Sequence, residues 1–189
     1  AKQWLEDTTN VILSEIAAPS VAFSSHIHEY YLSLCSIGTA CIFIGDPVNR
    51  EGVSFRAIHI EEIFIAENAD GIIDTVFRSF EMTVRQIVQK WGEKSLSPRI
   101  AKMYEKKDYD KQVQLLHCVY PREDMDKGKK AATMLPVASV YIDEKDKHVL
   151  AEGGFDEMPY MVSRWSKAVG EVFGRSPAMT ALPDIKMLQ

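Results

Sequence analysis

Apolar residues near the start of the chain recur at helical spacing: Trp4, Leu5, Val11, Ile12 and Ile16 fall on a 3.6-residue period between Lys2 and Ala18, and Pro19 closes the segment. A second helical pattern covers His26 to Ser36 and ends at Gly38. The period then changes. Thr39 to Ile44 is a short apolar run bounded by Gly45, Asp46 and Pro47, which predicts a strand. Val53 to Ala66 is rich in β-branched and aromatic residues, which predicts a strand pair or one bent strand. Ile72 to Phe80 follows the Asn68-Ala69-Asp70-Gly71 turn and reads as a hairpin return.

At Met82 the period reverts to helix. Thr83 and Gln86 form the Thr-x-x-Gln of a capping box, in which the hydroxyl takes an orphan amide and the glutamine reaches back. Gly92 is a natural stop, and Ser97 followed by Pro98 is a second start, because proline at the first helical position loses no intrahelical bond. Thr83 to Lys107 is therefore predicted to be two short helices with a break. Alternation returns in Val113, Leu115, His117 and Val119, again in Ala138, Val140 and Ile142, and around Met161 and Val162. The turns between, Pro121 to Lys130 and Asp143 to Lys147, are polar. Ser176 as cap and Pro177 in the first turn announce a last helix, which Pro183 should kink. Without βαβ alternation, the order predicts an α+β chain: two β-containing bodies, Thr39 to Phe80 and Val113 to Ile142, joined by helices.

Composition narrows the function classes. With 189 residues, 46% of them hydrophobic, the chain can bury at least one substantial core. A net charge of −5 argues against whole-surface phosphate neutralisation. The exception is Arg85 to Lys107, where Arg85, Lys90, Lys94, Arg99, Lys102, Lys106 and Lys107 face only Glu93 and Glu105. That stretch is either a basic collar near DNA or an acidic neighbour, or a solvated helix face. Cys35, Cys41 and Cys118 form no Cys-x-x-Cys pair and lie in apolar contexts, so reduced, buried thiols of a cytosolic compartment are expected. No apolar run reaches the roughly 18 residues of a membrane span, and no signal peptide is indicated. The sequence begins at Ala1 without Met and ends at Gln189 inside a helical pattern, so it is expected to be part of a longer protein.

No catalytic, metal or cofactor set is expected. His26-x-His28 on a helix points its rings about 200° apart, so the two cannot share an ion. His59 beside Glu61 and Glu62 has no third ligand at metal-site spacing. No serine stands in a nucleophile elbow, and neither a P-loop nor Gly-x-Gly-x-x-Gly occurs. Asp143, Glu144 and Asp146 begin like an EF-hand loop, but Gly154 stands where the twelfth ligand belongs, so a solvated hairpin turn is expected.

Gly154, Phe155, Glu157 and Pro159, then Arg164-Trp165, then Gly170, Glu171, Phe173, Gly174, Arg175, Ser176 and Pro177 form an ordered set. It resembles the portal, or head-to-tail connecting, proteins of short-tailed, T7-like phages. Phe173 replaces the more usual tyrosine. The resemblance continues at lower specificity through the segments 25–46 and 70–92, covering essentially the whole chain.

The resemblance implies a wing part over residues 1–82, first stem helices over 83–112, a β-rich clip over 113–172 and the start of a second stem helix over 173–189. It implies a non-enzymatic ring of subunits, usually twelve, at one capsid vertex of the virion, assembled in the host cytoplasm. Its partners would be itself, the packaging terminase, tail adaptor proteins, capsid and scaffold proteins, and the DNA passing through the channel. Arg164, Trp165, Gly170, Glu171, Phe173, Gly174, Arg175 and Pro177 would be the family's motif and packing residues, with the Trp165 and Phe173 rings pinning the clip to the stem. Arg122, Lys127, Lys129 and Lys130 would be motor or adaptor contacts, and Arg175 and Lys186 would face the channel. Two other readings stand beside it: a phage nucleic-acid-binding or processing protein using Arg85 to Lys107, and a metal-dependent hydrolase around His26, His28 and His59.

Overall fold

A computed structural model describes residues 2–48, 51–123 and 134–188. The fold is α+β, and the chain divides into two compact units, Ala1–Glu61 with Pro159–Gln189, and Glu62–Met158.

The first unit begins with helices α1 (Lys2–Ala17) and α2 (Phe23–Ser36). They precede strands β1 (Thr39–Gly45) and β2 (Ser54–Ile58), and β8 (Tyr160–Arg164) returns late in the chain to complete an antiparallel sheet of order β2-β1-β8. The central strand is the apolar run read from the sequence: Thr39, Ala40, Cys41 and Ile42 are all buried, so both faces of the strand are covered over this run. Phe23 packs edge-on against Phe55 at 4.8 Å, and the His26 Nδ1 accepts the Ala57 amide at 3.4 Å, so α2 is tied to β2 by both apolar and polar contact. Cys41 is buried as expected. Cys35 is exposed instead, because it faces outward from a helix that buries none of its residues. Helix α5 (Pro177–Met187) follows β8 and runs through Pro183; neither α1 nor α5 buries a residue.

The second unit is a five-stranded antiparallel sheet of order β3-β4-β5-β6-β7: β3 (Ile63–Glu67), β4 (Ile73–Thr83), β5 (Gln112–Pro121), β6 (Val137–Asp143) and β7 (His148–Phe155). Between β4 and β5 stand α3 (Val84–Trp91) and α4 (Pro98–Glu105). The Thr83 hydroxyl accepts the Gln86 amide at 3.3 Å while the Gln86 side chain accepts the Thr83 amide at 2.9 Å, the capping box read from the sequence. Ser97 caps α4 with Pro98 in its first turn. Both helices press one apolar side on the sheet, where Ile87 and Ile100 join Phe80, Val113, Leu115 and Leu150. Burying each isoleucine is worth about 2–3 kcal/mol.

This sheet corrects the expected architecture. Phe80 pairs with Leu115 across β4 and β5, so strands expected in separate bodies share one sheet, and α3 and α4 fold onto it rather than linking two bodies. The break falls inside Val53 to Ala66, where β2 and β3 join different sheets around a 3-10 turn at Ile60–Glu62. Local periodicity reports that a segment is extended, and not which distant strand it pairs with. Strand β7 was not anticipated. In β6 the helix-facing residues are Tyr141 and Asp143, while Ala138, Val140 and Ile142 lie on the other face.

Candidate functional site

The family-like residues after β8 gather at one junction of the first unit, built mainly from backbone. Gly38, in the left-handed region at φ 90°, ends α2 and turns the chain into β1. Its carbonyl accepts the Trp165 amide at 2.9 Å. Gly174 donates its amide to the buried Thr39 hydroxyl at 2.7 Å, and Arg175 donates its own to the Ser166 carbonyl at 2.7 Å. The Ser176 hydroxyl donates to the Ser36 carbonyl at 2.8 Å and accepts the Met179 amide at 3.0 Å, so one side chain both caps α5 and fastens it to the end of α2. The two glycines are the close-approach points. A Cβ on Gly174 would overlap the Gly38 carbonyl oxygen, and one on Gly38 would lie 2.8 Å from Arg175 Cα.

Around this lock the charged residues serve geometry. Arg164 donates to the Val172 carbonyl at 3.2 Å. Arg175 holds Glu171 with two bonds, of 2.6 and 2.9 Å, and the paired guanidinium keeps the Glu171 carboxyl below its ordinary range. Gly170 supplies a positive φ of 82° to the loop and Pro177 opens α5. Trp165 and Phe173, expected to pin the clip to the stem, are 55% and 41% exposed. The segment is held by main-chain amides and carbonyls together with the Thr39 and Ser176 hydroxyls. Lys186 is exposed near the end of α5.

The second unit carries the charged stretch. Asp143, expected in a solvated turn, has a fully buried side chain: it accepts from Ser97 Oγ at 2.8 Å and from Arg99 Nη2 at 2.6 Å. Arg99 also reaches Asp146 at 3.3 Å, pinning the β6–β7 turn to α4. Beside this network opens a cleft of about 740 Å³ lined by α4, the 106–111 connection and the turn. Lys111 pairs with Asp108 at 2.6 Å on its rim. Lys102, Lys106 and Lys147, also lining it, make no ion pair among the described residues. Lys90 is used otherwise, its ammonium 4.2 Å from the Tyr141 ring centroid. The basic stretch is thus split between internal contacts and a cleft.

Arg122, expected as an exposed contact, is folded onto β7, donating to Glu152 Oε1 at 3.3 Å and to the Gly153 carbonyl at 2.9 Å. Its side chain is only 14% exposed, because the row Pro121, Val137, Phe155 brings the strand ends together. Lys127, Lys129 and Lys130 lie outside the described residues. His59 Nδ1 accepts the Glu61 amide at 3.3 Å, while His26 is bound to β2. Among the described residues no group of His, Cys, Asp and Glu is placed to hold a metal ion, and no helix is long and apolar enough to cross a membrane. Two features escaped the sequence reading: the pairing of Gly38-Thr39 with Gly174-Arg175, and the Ser97–Asp143–Arg99 network. Both join residues dozens of positions apart, and neither leaves a local signal.

The sequence model of the family described as bacteriophage head to tail connecting protein matches residues 1–189. The chain is 32% identical over 192 residues to the portal protein of Salmonella phage epsilon15, covering all of this chain and 34% of that one. It is 28% identical over 190 residues to the probable portal protein of Bordetella phage BPP-1, with the same coverage of 100% and 34%. It therefore spans about a third of the length of the curated relatives it matches. A match over residues 1–189 places this chain in the bacteriophage head to tail connecting protein family.

Proposed function

We propose that this chain is part of a portal subunit, a structural and non-enzymatic protein that assembles with copies of itself into a ring, usually of twelve, at one vertex of the phage capsid. The ring is the channel for DNA entry and ejection. Its partners are the packaging terminase, tail adaptor proteins, and capsid and scaffold proteins, met in the host cytoplasm during assembly. The observation that carries this reading is the family match over the whole chain, shared with two portal relatives.

The fold supports a mechanical role. The lock at Gly38, Gly174 and Ser176 fixes the start of α5 against the end of α2, and α5 buries none of its own residues. We assign α5 as the start of a stem helix on that ground, with Lys186 on its exposed surface. The β5–β6 connection, with Lys127, Lys129 and Lys130, is the assigned contact for motor or adaptor. Reversing those three charges should slow docking most at low salt while rings still form. Electron micrographs of the full-length protein test the central reading: rings are expected. Monomers that bind DNA with a steep salt dependence would overturn it in favour of a nucleic-acid-binding protein.

A further inference from the structure

We propose that the basic cleft of the second unit is the receiving half of a contact between copies of this chain, and that the inserted half is the exposed acidic turn Asp156–Glu157 of the neighbouring copy. This rests on the ring assembly proposed above.

Topology places the two halves. In the five-stranded sheet the cleft adjoins the start of β7, where Lys147 and His148 line it. Asp156 and Glu157 follow the other end of the same edge strand. Seven strand steps separate these ends by roughly 23 Å. One copy cannot bring its own turn into its own cleft, so any meeting of the two is between copies. Two different patches at opposite ends of β7 can serve as the two halves of a heterologous contact, and repetition closes a ring when the rotation permits.

Charge and shape supply the complementarity. Lys102 and Lys106 stand one helical turn apart on α4, with Cβ atoms roughly 5–6 Å from each other, and Lys147 faces them from the β6–β7 turn. None has an ion-pair partner among the described residues, and neither have Asp156 and Glu157, both exposed. Adjacent carboxylates on one turn can reach adjacent lysines in one cleft.

The test is made on the full-length protein by sedimentation and electron microscopy of four samples: wild type, K102E/K106E/K147E, D156K/E157K, and an equal mixture of the two variants. Each variant alone should need roughly tenfold or more protein to assemble, because every contact becomes like against like. The mixture should restore rings, since alternating copies place an acidic cleft on a basic turn and a basic cleft on an acidic turn. Melting curves identify a variant that fails to fold, and a single chain carrying all five reversals then takes its place, with rings expected. Variants that assemble as wild type does, or a mixture that stays unassembled from folded parts, would overturn the contact. Intact rings with reduced DNA retention would reassign the lysines to phosphate. A wild type that forms no ring at all would overturn the portal reading itself.

Discussion

Gly174→Ala probes the lock between β8, α2 and α5 most sharply. The added methyl would overlap the Gly38 carbonyl oxygen and lie 2.9 Å from Arg164 Cβ and 3.1 Å from Arg164 Cα. These are backbone and side-chain-root atoms, so no rotamer change clears them; the loop must lift or Gly38 must shift. Overpacking of this kind costs about 1–3 kcal/mol. Lifting also separates the Gly174 amide from Thr39 Oγ1, and a buried donor left without its acceptor costs a further ~1–3 kcal/mol. For a unit of about 90 residues, each kcal/mol moves the melting temperature by about 4–8 °C, so a fall of at least ~10 °C is expected. Gly170→Ala is the control. It forces a non-glycine residue to φ 82° but meets no atom within 4 Å, and should cost about 1–2 kcal/mol. Calorimetry of both variants, with hydrogen exchange at the Gly174 and Trp165 amides, reads the effect. A Gly174→Ala protein melting within ~3 °C of wild type, or no lower than Gly170→Ala, would refute the lock.

Asp143→Ala leaves the buried Ser97 hydroxyl without its acceptor and Arg99 with Asp146 alone, and should destabilise the second unit by about 2–4 kcal/mol in denaturant titration; a loss below ~1 kcal/mol would contradict the network. Burial, with smaller contributions from Lys90 and Arg78, lowers the His117 imidazole to about 3. The unfolded chain therefore binds the extra proton between about pH 6.5 and 3, so this contribution is complete above that window and is lost as pH falls through it, by up to ~1.4 kcal/mol per pH unit. The stability difference between wild type and His117→Gln should shrink over that range, and a constant difference would contradict the assignment. Trp165→Ala should cost less than about 2 kcal/mol, since over half of the residue is exposed at 55%; a loss of ~4 kcal/mol would mean the ring is an internal pin after all. Purified full-length protein should neither hydrolyse ATP nor cut DNA with divalent metal, and turnover abolished by changing His26 or His59 would contradict the structural role.

Much of the local structure was legible in the sequence, because local physics writes it there. The Thr83–Gln86 box, the Ser97-Pro98 and Ser176-Pro177 starts, and the Asn68 turn, whose side-chain oxygen accepts from the Asp70 and Ile72 amides at 3.0 Å, each act within a few residues. The alternation of Val113 to Val119 gave β5 and its buried face correctly. What was not legible is long-range. Nothing near Ile73 says that β4 will pair with β5 across two helices, and nothing near Thr39 says that β1 will wait for β8. Charged residues misled for the same reason. Asp143 and Arg122 look like surface residues until distant partners bury them. The motif after β8 was recognised as an ordered set, but its physical content, two glycines and a serine closing on the end of α2, needed the fold.

The most direct test of the central claim is to find this chain in the virion. Phage particles carrying a small gold-binding tag on the full-length protein, imaged by electron microscopy, should show label at a single capsid vertex, the one that bears the tail. Label spread over all vertices, or its absence from mature particles, would contradict the account.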